Sequence, residues 1–555
     1  HQQQEQQQPG AAPDATDEDP SRVWLPEVVH HFAGFLGGNE LACTLRLVNK
    51  ATAAHFRGPA HTTVRLSLPV PNHAFARRWG GADATRSLTI QQRKELPCLT
   101  ARSGSIANLE VLLARDDLTS PLTICVCRWL WQQGCRWGCY VLVAAAAAGH
   151  KAVCEWLHDE GCSVDELAVA SAARGGHVGL MDWVLARTAD ASEPDDGCDR
   201  LLEAVAAGCD LPTLQRLHHT YLDSRGEELL GGEQGQVLAA AAGSPTADWR
   251  DKVGWLEGRG YPRTVRACEE AAQRVYGRDR LEWLQQRGYP ISASVACKAA
   301  EQGNTEALEF LLAQGMKLGE ILAVTATRCA AQGGHLAILK VLHAHGARID
   351  HHVAAAAAAA GGHLPVMAWL VEALGAATAL TAGMYAGAAR SGSAELLAWL
   401  HQHGCPWDAS VVAAAASTGS EEQLEWLVER GCPMGENGAP YLQALENGDL
   451  AVLACLRRLG CPWGHIITHA IATCSEARNI FGPARQALQL LALTWLVKQG
   501  CPVDWTAAKQ EAERGGNFTV LMLVRQLQPQ PAWARGGRLR AAKQDGRSTG
   551  AGAGN

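Results

Sequence analysis

The sequence has little charge and no long apolar run. Only 19% of its 555 residues are charged, and a net charge of −7 gives no overall signature of binding to nucleic acid or to an anionic membrane. The longest run of alanine, at 354–360, is too short and too weakly apolar to cross a bilayer. The composition therefore predicts neither a nucleic-acid partner nor a membrane partner.

Signatures of catalysis are also missing from the chain. We find no phosphate-binding loop, no Gly-x-Ser-x-Gly elbow and no His-Glu-x-x-His motif. The 19 cysteines, an odd number in so long a chain, do not resemble a compact disulfide framework and suit a reducing compartment. We expect a non-enzymatic protein without a cofactor, in the cytoplasm, the nucleus or both. The sequence leaves open whether a targeting peptide precedes His1.

The chain is rich in one internal repeat, in which a glycine is followed by a large apolar residue seven positions later and by a second glycine five positions further. The frame is met by Gly149-Trp156-Gly161, Gly303-Phe310-Gly315, Gly334-Val341-Gly346, Gly392-Trp399-Gly404, Gly419-Trp426-Gly431 and Gly448-Cys455-Gly460. Each unit reads as two short helices, because a small-residue segment precedes a segment whose apolar residues fall on one helical face. Such a pair cannot bury itself alone, so neighbouring units must stack. The pattern predicts an all-α helical-repeat solenoid.

The junctions between units have the composition of a helix stop followed by a helix start. In the junction at 404–408, Gly404 fits a left-handed helix end, Pro406 blocks continuation, and Asp408 fits the N-cap of the next helix. Trp407 is expected to pack against Val412 as a hydrophobic staple. The same N-cap role is predicted for Gly138, Asp165, Thr264, Ser292, Gly319, Asp350, Gly435, Gly464 and Asp504.

The potential metal ligands have a simpler structural explanation. Cys125, Cys127, Cys135 and Cys139 form the densest thiol cluster and could hold zinc. However, the repeat position of Cys135 is occupied by Tyr, Met or Ala in other units, which indicates packing. We predict no metal, with zinc at this cluster as the open alternative. The histidines of the Gly-His pairs are expected to form hydrogen bonds at turns.

The repeat units resemble ankyrin repeats. The phrase AAQGGHLAILKVLHAHGA at 330–347 and the Gly-His pairs that begin at Gly149, Gly176, Gly334 and Gly362 are similar to the ankyrin second-helix pattern. The resemblance covers residues 89–528, with an irregular part around 190–249. It implies an ankyrin-type solenoid that binds a protein partner along an extended concave surface. We expect the contact residues at variable positions of first helices and loops, and the second-helix tryptophans in the core.

The segment at 23–58 resembles an F-box. It contains Leu25-Pro26 at the start of an apolar helical stripe, and then Leu41, Leu45 and Val48 in the spacing Leu-x-x-x-Leu-x-x-Val. An F-box docks a Skp-family adaptor, and the resemblance implies that Leu25, Pro26, Val29, Leu41, Leu45 and Val48 do so here. The alternative is a helical cap that only shields the first repeat.

These patterns divide the chain into five parts. We predict a disordered Gln-rich and acidic tail at 1–22, the F-box-like head at 23–58, a linker at 59–88 with a short strand at 64–71, the array at 89–528 and a disordered Arg/Gly-rich tail at 529–555. The predicted protein is a monomer. It works either as the substrate receptor of a Skp–cullin–F-box ubiquitin ligase or as a scaffold whose head is only a cap.

Overall fold

The structure, a computed structural model, describes residues 26–81, 83–114, 139–162, 164–188, 198–372, 380–480 and 483–529. Within these ranges every regular element is a helix, and the helices pack in a series of adjacent contacts. The prediction of an all-α helical repeat is therefore confirmed. Across the same ranges, no helix combines the length and the apolarity needed to cross a membrane. The predicted tails, apart from Pro529, lie outside the described residues.

The N-terminal part contains five short helices: α1 Pro26–Ala33, α2 Gly38–Cys43, α3 Lys50–His55, α4 Pro59–Thr62 and α5 Asn72–Trp79. A 3₁₀ turn, Leu45–Leu47, lies between α2 and α3. Val29, Leu41 and Phe56 are buried together and form the small core of the head. The head is thus a folded unit with apolar contacts of its own.

Residues 59–88, for which the sequence predicts a linker, are folded against the head and the first repeat. Val70, Phe75 and Trp79 share a core with Leu96 and Leu112 of the first helix pair. These contacts hold α5 against the array, because burial there removes the apolar side chains from water. The segment therefore attaches the head to the array.

The short strand predicted at 64–71 is absent, and turns take its place. The buried side chain of Asn39 explains the difference. Its Nδ2 donates to the carbonyl oxygens of Arg65 and Pro69 at 2.7 and 3.0 Å, and its Oδ1 accepts from the Arg65 amide at 2.8 Å. A buried amide that satisfies backbone groups in this way holds the chain in a turn.

The rest of the described chain forms helix pairs, each with a first and a second helix. The pairs are α6 Ile90–Arg102 and α7 Ile106–Leu113, α8 Cys139–Ala147 and α9 Lys151–Asp159, α10 Glu166–Arg174 and α11 Val178–Thr188, α12 Cys198–Gly208 and α13 Leu211–His218, α14 Gly231–Ala242 and α15 Trp249–Gly258, α16 Val265–Ala272 and α17 Gly277–Gln286, α18 Ala293–Glu301 and α19 Thr305–Ala313, α20 Glu320–Gln332 and α21 Leu336–Ala344, α22 His351–Gly361 and α23 Leu364–Glu372, α24 Ala382–Ser391 and α25 Ala394–Gln402, α26 Ala409–Thr418 and α27 Glu421–Glu429, α28 Ala439–Asn447 and α29 Leu450–Arg458, α30 Ile467–Ile480 and α31 Pro483–Lys498, and α32 Trp505–Arg514 and α33 Phe518–Leu527.

Successive first helices pack directly on one another and form one continuous layer. Their facing residues are small, and Ala299, Ala300, Ala330 and Ala331 are completely buried. Small side chains let neighbouring backbones approach closely, which explains the abundance of alanine in these segments. The second helices add leucines such as Leu339 to the same core.

Several units cap the first helix of the unit before them. A polar side chain, from the second helix or from the turn before that helix, bonds to the C-terminal carbonyl groups of the first helix in the preceding unit. His150 and His335 place Nε2 at 2.7 and 3.0 Å from the carbonyl oxygens of Arg102 and Glu301, which confirms the predicted turn hydrogen bonds for these two histidines. Elsewhere Asn304 or Gln423 takes this role. The last carbonyls of a helix lack intrahelical partners, and these side chains satisfy some of them.

The region around 190–249 is more regular than its sequence suggests. The described residues 198–258 form two complete helix pairs, and a π-helical turn, His219–Asp223, lies between them after α13. The irregular sequence reflects a different capping chemistry. Here the buried cations Lys252 and Arg280 donate to the carbonyl oxygens of Ala206 and Ala242, at 2.7 and 2.6 Å, where other units use a histidine or an amide.

The predicted helix stops are confirmed wherever the structure describes them. The closing glycines 161, 260, 288, 315, 346, 404, 431, 460 and 500 all have positive φ. The side chains of Asp165, Asp350, Asp408 and Asp504 accept hydrogen bonds from the first turn of the next helix, as N-caps do. Thr264, Ser292 and Gly319 occupy the N-cap position without a side-chain bond.

Two N-cap predictions are wrong, and a third lies outside the described residues. Gly435 precedes the N-cap of α28, which is Gly438, and α30 begins at Ile467, beyond Gly464. In these two units the connection is longer, because Gly438 itself has positive φ and lies against the backbone of Trp463. Gly138 is not among the described residues.

The second-helix tryptophans are half-buried, so their prediction as core residues is only partly right. Trp156, Trp283, Trp369, Trp399 and Trp426 pack against the core with one part of the ring in contact with solvent. Charged or aromatic groups cover them: the Arg430 guanidinium lies 4.2 Å from the Trp426 ring centre, and His403 stacks on Trp399 at 3.8 Å. The indole ring is too large to be buried completely between neighbouring second helices, where a smaller side chain would fit.

Candidate partner-binding surfaces

The first-helix layer has a polar groove across α10 to α20, which we call the central groove. One half is lined by Arg174, Glu203, Gln236, Arg266, Glu270 and Arg274, from α10 to the end of α16. The other half has a volume of about 630 Å³ and includes Glu269, Ser294, Cys297, Lys298, Glu301, Arg328 and Cys329, from α16 to α20. The two halves adjoin at helix α16, which contributes Glu269 to one and Glu270 to the other.

Some charges in the central groove are paired with charges on the same or a nearby helix. Arg174 pairs with Glu203 at 3.1 Å between α10 and α12, and Lys298 pairs with Glu301 at 2.8 Å within α18. The hydrogen bond from Lys298 to Glu301 raises the pKa of the lysine. These exposed pairs contribute little to stability, so their side chains can exchange partners at low energetic cost.

Other cations of the groove have no ion pair within the described chain. Arg266 and Arg328 are exposed and lie within 4 Å of no carboxylate among the described residues, and the Nε of Arg274 is buried without a hydrogen-bond partner. A guanidinium presents several donors in a fixed plane, so these groups are suited to acceptor groups of a bound molecule. Sequence reasoning placed contacts at variable positions of first helices but did not name these residues.

The first helices that follow along the array offer a different surface. In α22 and α26 the corresponding face carries Ala356, Ala360, Ala413 and Ser417, which are exposed or half-buried. Neither helix contributes a charged side chain to that face. The face of α22 and α26 is thus less polar than the central groove.

The head presents only some of the predicted adaptor-docking residues. Leu25 lies outside the described residues, and Pro26 is the first residue of α1. Val29 and Leu41 are buried in the head core, and Leu45 is half-buried. Val48 is clearly exposed, with 51% of its surface accessible. The adaptor-docking prediction itself remains a prediction.

The exposed apolar surface of the head comes mainly from other residues, and we call it the head patch. It consists of Val28, Phe32, Phe35, Leu47 and Val48, of which Phe35 is 76% exposed. The sequence placed three of these residues on the same helical stripe as Val29. The stripe does not reveal which edge turns inward, because that depends on where α2 and α3 pack.

The cysteines at the unit junctions are buried and unreactive. The Sγ of Cys405 lies 3.5 Å from the carbonyl oxygen of Thr381, and burial raises the pKa of Cys405 to about 11 and that of Cys432 to about 12. A thiol with such a pKa stays protonated near neutral pH and neither attacks nor ligates readily. The result agrees with the prediction that these positions are packing sites.

Within the described residues, no group of three or more histidine, cysteine or acidic side chains is arranged to hold a metal ion. The cluster of Cys125, Cys127 and Cys135 lies outside these residues, and Cys139 begins α8. The zinc alternative at this cluster is therefore untested.

A comparison with protein-family models found no match, and neither did a comparison with curated proteins. The helical repeat is established by the packing of the helices alone. The ankyrin and F-box resemblances remain predictions from the sequence.

Proposed function

We propose that this protein is a non-enzymatic interaction protein that binds a protein partner in the central groove. The supporting observation is that Arg266, Arg274 and Arg328 place guanidinium donors in a groove where they have no ion pair within the described chain. These charges contribute nothing evident to the stacking of the repeats. An extended surface of this kind is what helical-repeat proteins offer to partners.

A pair of charge-reversal variants tests the role of the groove. Capture with the full chain should retain one or more proteins that are lost with Arg266→Glu/Arg328→Glu. Arg278→Glu is the matched control, because Arg278 is also an exposed arginine near the start of a helix but belongs to α17, in the second-helix layer. Loss of the same proteins with both variants, or with neither, would contradict binding in the groove.

A second candidate function adds adaptor binding by the head, as in a substrate receptor of a Skp–cullin–F-box ubiquitin ligase. The head patch favours it, because an exposed cluster of two phenylalanines and three aliphatic residues on a folded head is typical of an interaction surface. The alternative, a scaffold whose head is only a cap, does not need this cluster to be exposed.

Co-purification with a Skp-family adaptor separates the two possibilities. Phe32→Asp and Phe35→Asp should abolish binding, as should Leu25→Asp and Pro26→Asp if the F-box resemblance is correct. Leu230→Asp, at an equally exposed leucine of the array, should leave binding unchanged. If the intact chain binds no adaptor, the substrate-receptor function is excluded and the scaffold function remains.

A further inference from the structure

The array returns to its own beginning and makes contact with it. Residues 83–93, which precede and begin α6, lie against the turns of the helix pairs α24–α25, α26–α27 and α28–α29. The hydrogen bonds of Arg93 alone join residues that are 326 and 356 positions apart in the chain. We call residues 83–93 the latch segment. The three turns together with the start of α27 are called the latch surface.

The contact is made by charges of opposite sign on the two sides. Arg86 lies between Glu421 and Glu425, with Nη2 at 2.5 Å from Glu425 Oε1 and Nε at 3.5 Å from Glu421 Oε2. Arg458 of α29 binds the same two carboxylates at 3.4 and 2.5 Å. The two arginines and two glutamates thus form one network, in which Arg86 is the only member from the latch segment.

A second ion pair lies deeper in the contact. Arg93 is paired with Asp449, whose side chain is only 4% exposed, and it also donates to the carbonyl oxygen of Gly419 at 2.9 Å. Backbone groups add to it, since the Glu421 amide donates to the carbonyl oxygen of Arg86 at 3.1 Å. The side chains of Arg93 and Asp449 are 17% and 4% exposed, so salt weakens this pair less than the more exposed network of Arg86 but does not leave it untouched.

The turns of the latch surface lack the histidine that follows the glycine in four other turns of the array. Gly149, Gly176, Gly334 and Gly362 are followed by histidine, whereas Gly392, Gly419 and Gly448 are followed by Ser393, Ser420 and Asp449. A Cβ added to Gly392 would lie 2.5 Å from the Thr89 methyl group, and one added to Gly419 would meet Arg93.

A solenoid can open through small changes in the angle between successive units. In a solenoid each unit touches only its neighbours, so a small change in angle per unit accumulates along the stack. Summed over the units between α6 and α28, it would separate the two sides of the contact without breaking any helix pair. Closure therefore depends on the contacts between the latch segment and the latch surface.

We propose that the latch segment is an electrostatic switch that holds the array in a closed form and releases it when its charges are screened or displaced. Opening moves the head away from α24–α29, because α5 and the buried amides of Asn39 and Asn108 fix the head and residues 59–88 to the first helix pair. This inference concerns the conformation of the chain and goes beyond the proposed binding function. A partner that binds either form more tightly would shift the equilibrium between them.

Small-angle scattering and amide hydrogen exchange on the full chain test the proposal. Arg86→Glu/Arg93→Glu should increase the radius of gyration and accelerate exchange of the Glu421 amide by about tenfold, while exchange in α18 and α20 stays unchanged. Arg77→Glu, on the exposed side of the nearby α5, should change neither quantity. An unchanged radius and unchanged exchange in the double variant, or equal effects in the Arg77→Glu control, would overturn the proposal.

Two further measurements do not depend on the stability of that variant. Reversing all four charges of the network, in Arg86→Glu/Glu421→Arg/Glu425→Arg/Arg458→Glu, restores opposite charges in every pair and should keep exchange of the residue 421 amide closer to the original rate than Arg86→Glu alone does. In the unmodified chain, raising the salt concentration to about 1 M should increase the radius of gyration, because it shortens the Debye length to about 3 Å. Failure of the swap to restore protection, or a radius that does not depend on salt, would show that these charges do not hold the array closed.

Discussion

Replacing the buried lysine Lys252 by methionine should change how the stability of the protein depends on pH. Lys252 is fully buried, and its Nζ donates to the carbonyl oxygens of Ala206 and Cys209 and to the Ser244 hydroxyl, at 2.7, 2.8 and 2.7 Å. Burial lowers the pKa of Lys252 to about 8, and the Asp248 carboxylate acts in the opposite direction. A lysine in an unfolded chain has a pKa of about 10.4.

The sign of the effect follows from proton binding. Between about pH 8 and pH 10.4 the unfolded chain keeps a proton on Lys252 that the folded protein has released. Unfolding then takes up a proton and becomes less favourable as the pH rises. Over the whole window this contribution amounts to about 3 kcal/mol, and over the part between about pH 8 and 9.5 to about 2 kcal/mol.

Urea unfolding of the original protein and of Lys252→Met, at several pH values and with a reductant present, measures the contribution. The original protein should gain about 2 kcal/mol of unfolding free energy relative to the variant between about pH 8 and 9.5. Tyrosines and thiols that titrate in this range are common to both proteins and cancel in the difference.

Lys298→Met is the control, because Glu301 raises the pKa of the half-exposed Lys298. Its contribution is already present at neutral pH and is lost only as the pH rises through the raised pKa, so no gain should occur in this window. Parallel stability curves for the original protein and Lys252→Met would refute the reasoning. They would show that the ammonium group is not held in a desolvated site.

Three predictions concern the unit junctions and turns. Cys405→Ala should change the unfolding free energy by less than about 1 kcal/mol, since it removes one sulfur from a site that Ala fills in another unit. Asp408→Ala should lower the unfolding free energy by about 1 kcal/mol, because it removes the N-cap of α26. Urea unfolding of the two variants measures both changes. A loss of partner capture by folded Cys405→Ala would contradict its packing role. Gly346→Ala should cost about 1 kcal/mol in the same assay, because φ is 75° and a Cβ would meet nothing within 4 Å, so only backbone strain contributes. His335→Ala leaves the carbonyl oxygen of Glu301 without its side-chain donor and should accelerate amide exchange at the end of α18; unchanged exchange there would contradict the capping role.

The helical repeat could be predicted because its signals are local. A glycine with positive φ, a proline and an aspartate cap act within a few residues, so the sequence around Asp408 was sufficient for the stop and the start. The capping histidines were predicted for the same reason. The N-cap predictions at Gly435 and Gly464 are wrong, because contact between two neighbouring turns lengthens the connection.

The candidate sites were less predictable, because exposure depends on contacts between distant elements. Val29 and Val28 are adjacent on one apolar stripe, yet Val29 enters the head core and Val28 stays exposed. The tryptophans of the second helices match the helical period of core residues, yet each is half-buried where neighbouring units meet. Arg266 and Arg328 carry no local signal that separates them from surface charges in general.

The sequence by itself determined the element type, the two-helix unit and the manner in which units join, since these follow from backbone preferences and from periodicity over fewer than about 30 residues. Only the tertiary structure decided which side chains face the central groove, that residues 59–88 fold onto the first helix pair, and that Arg86 meets Glu425 across the closed array. The physical reason is that these contacts depend on the summed geometry of many stacked units, and no short stretch of sequence contains that sum.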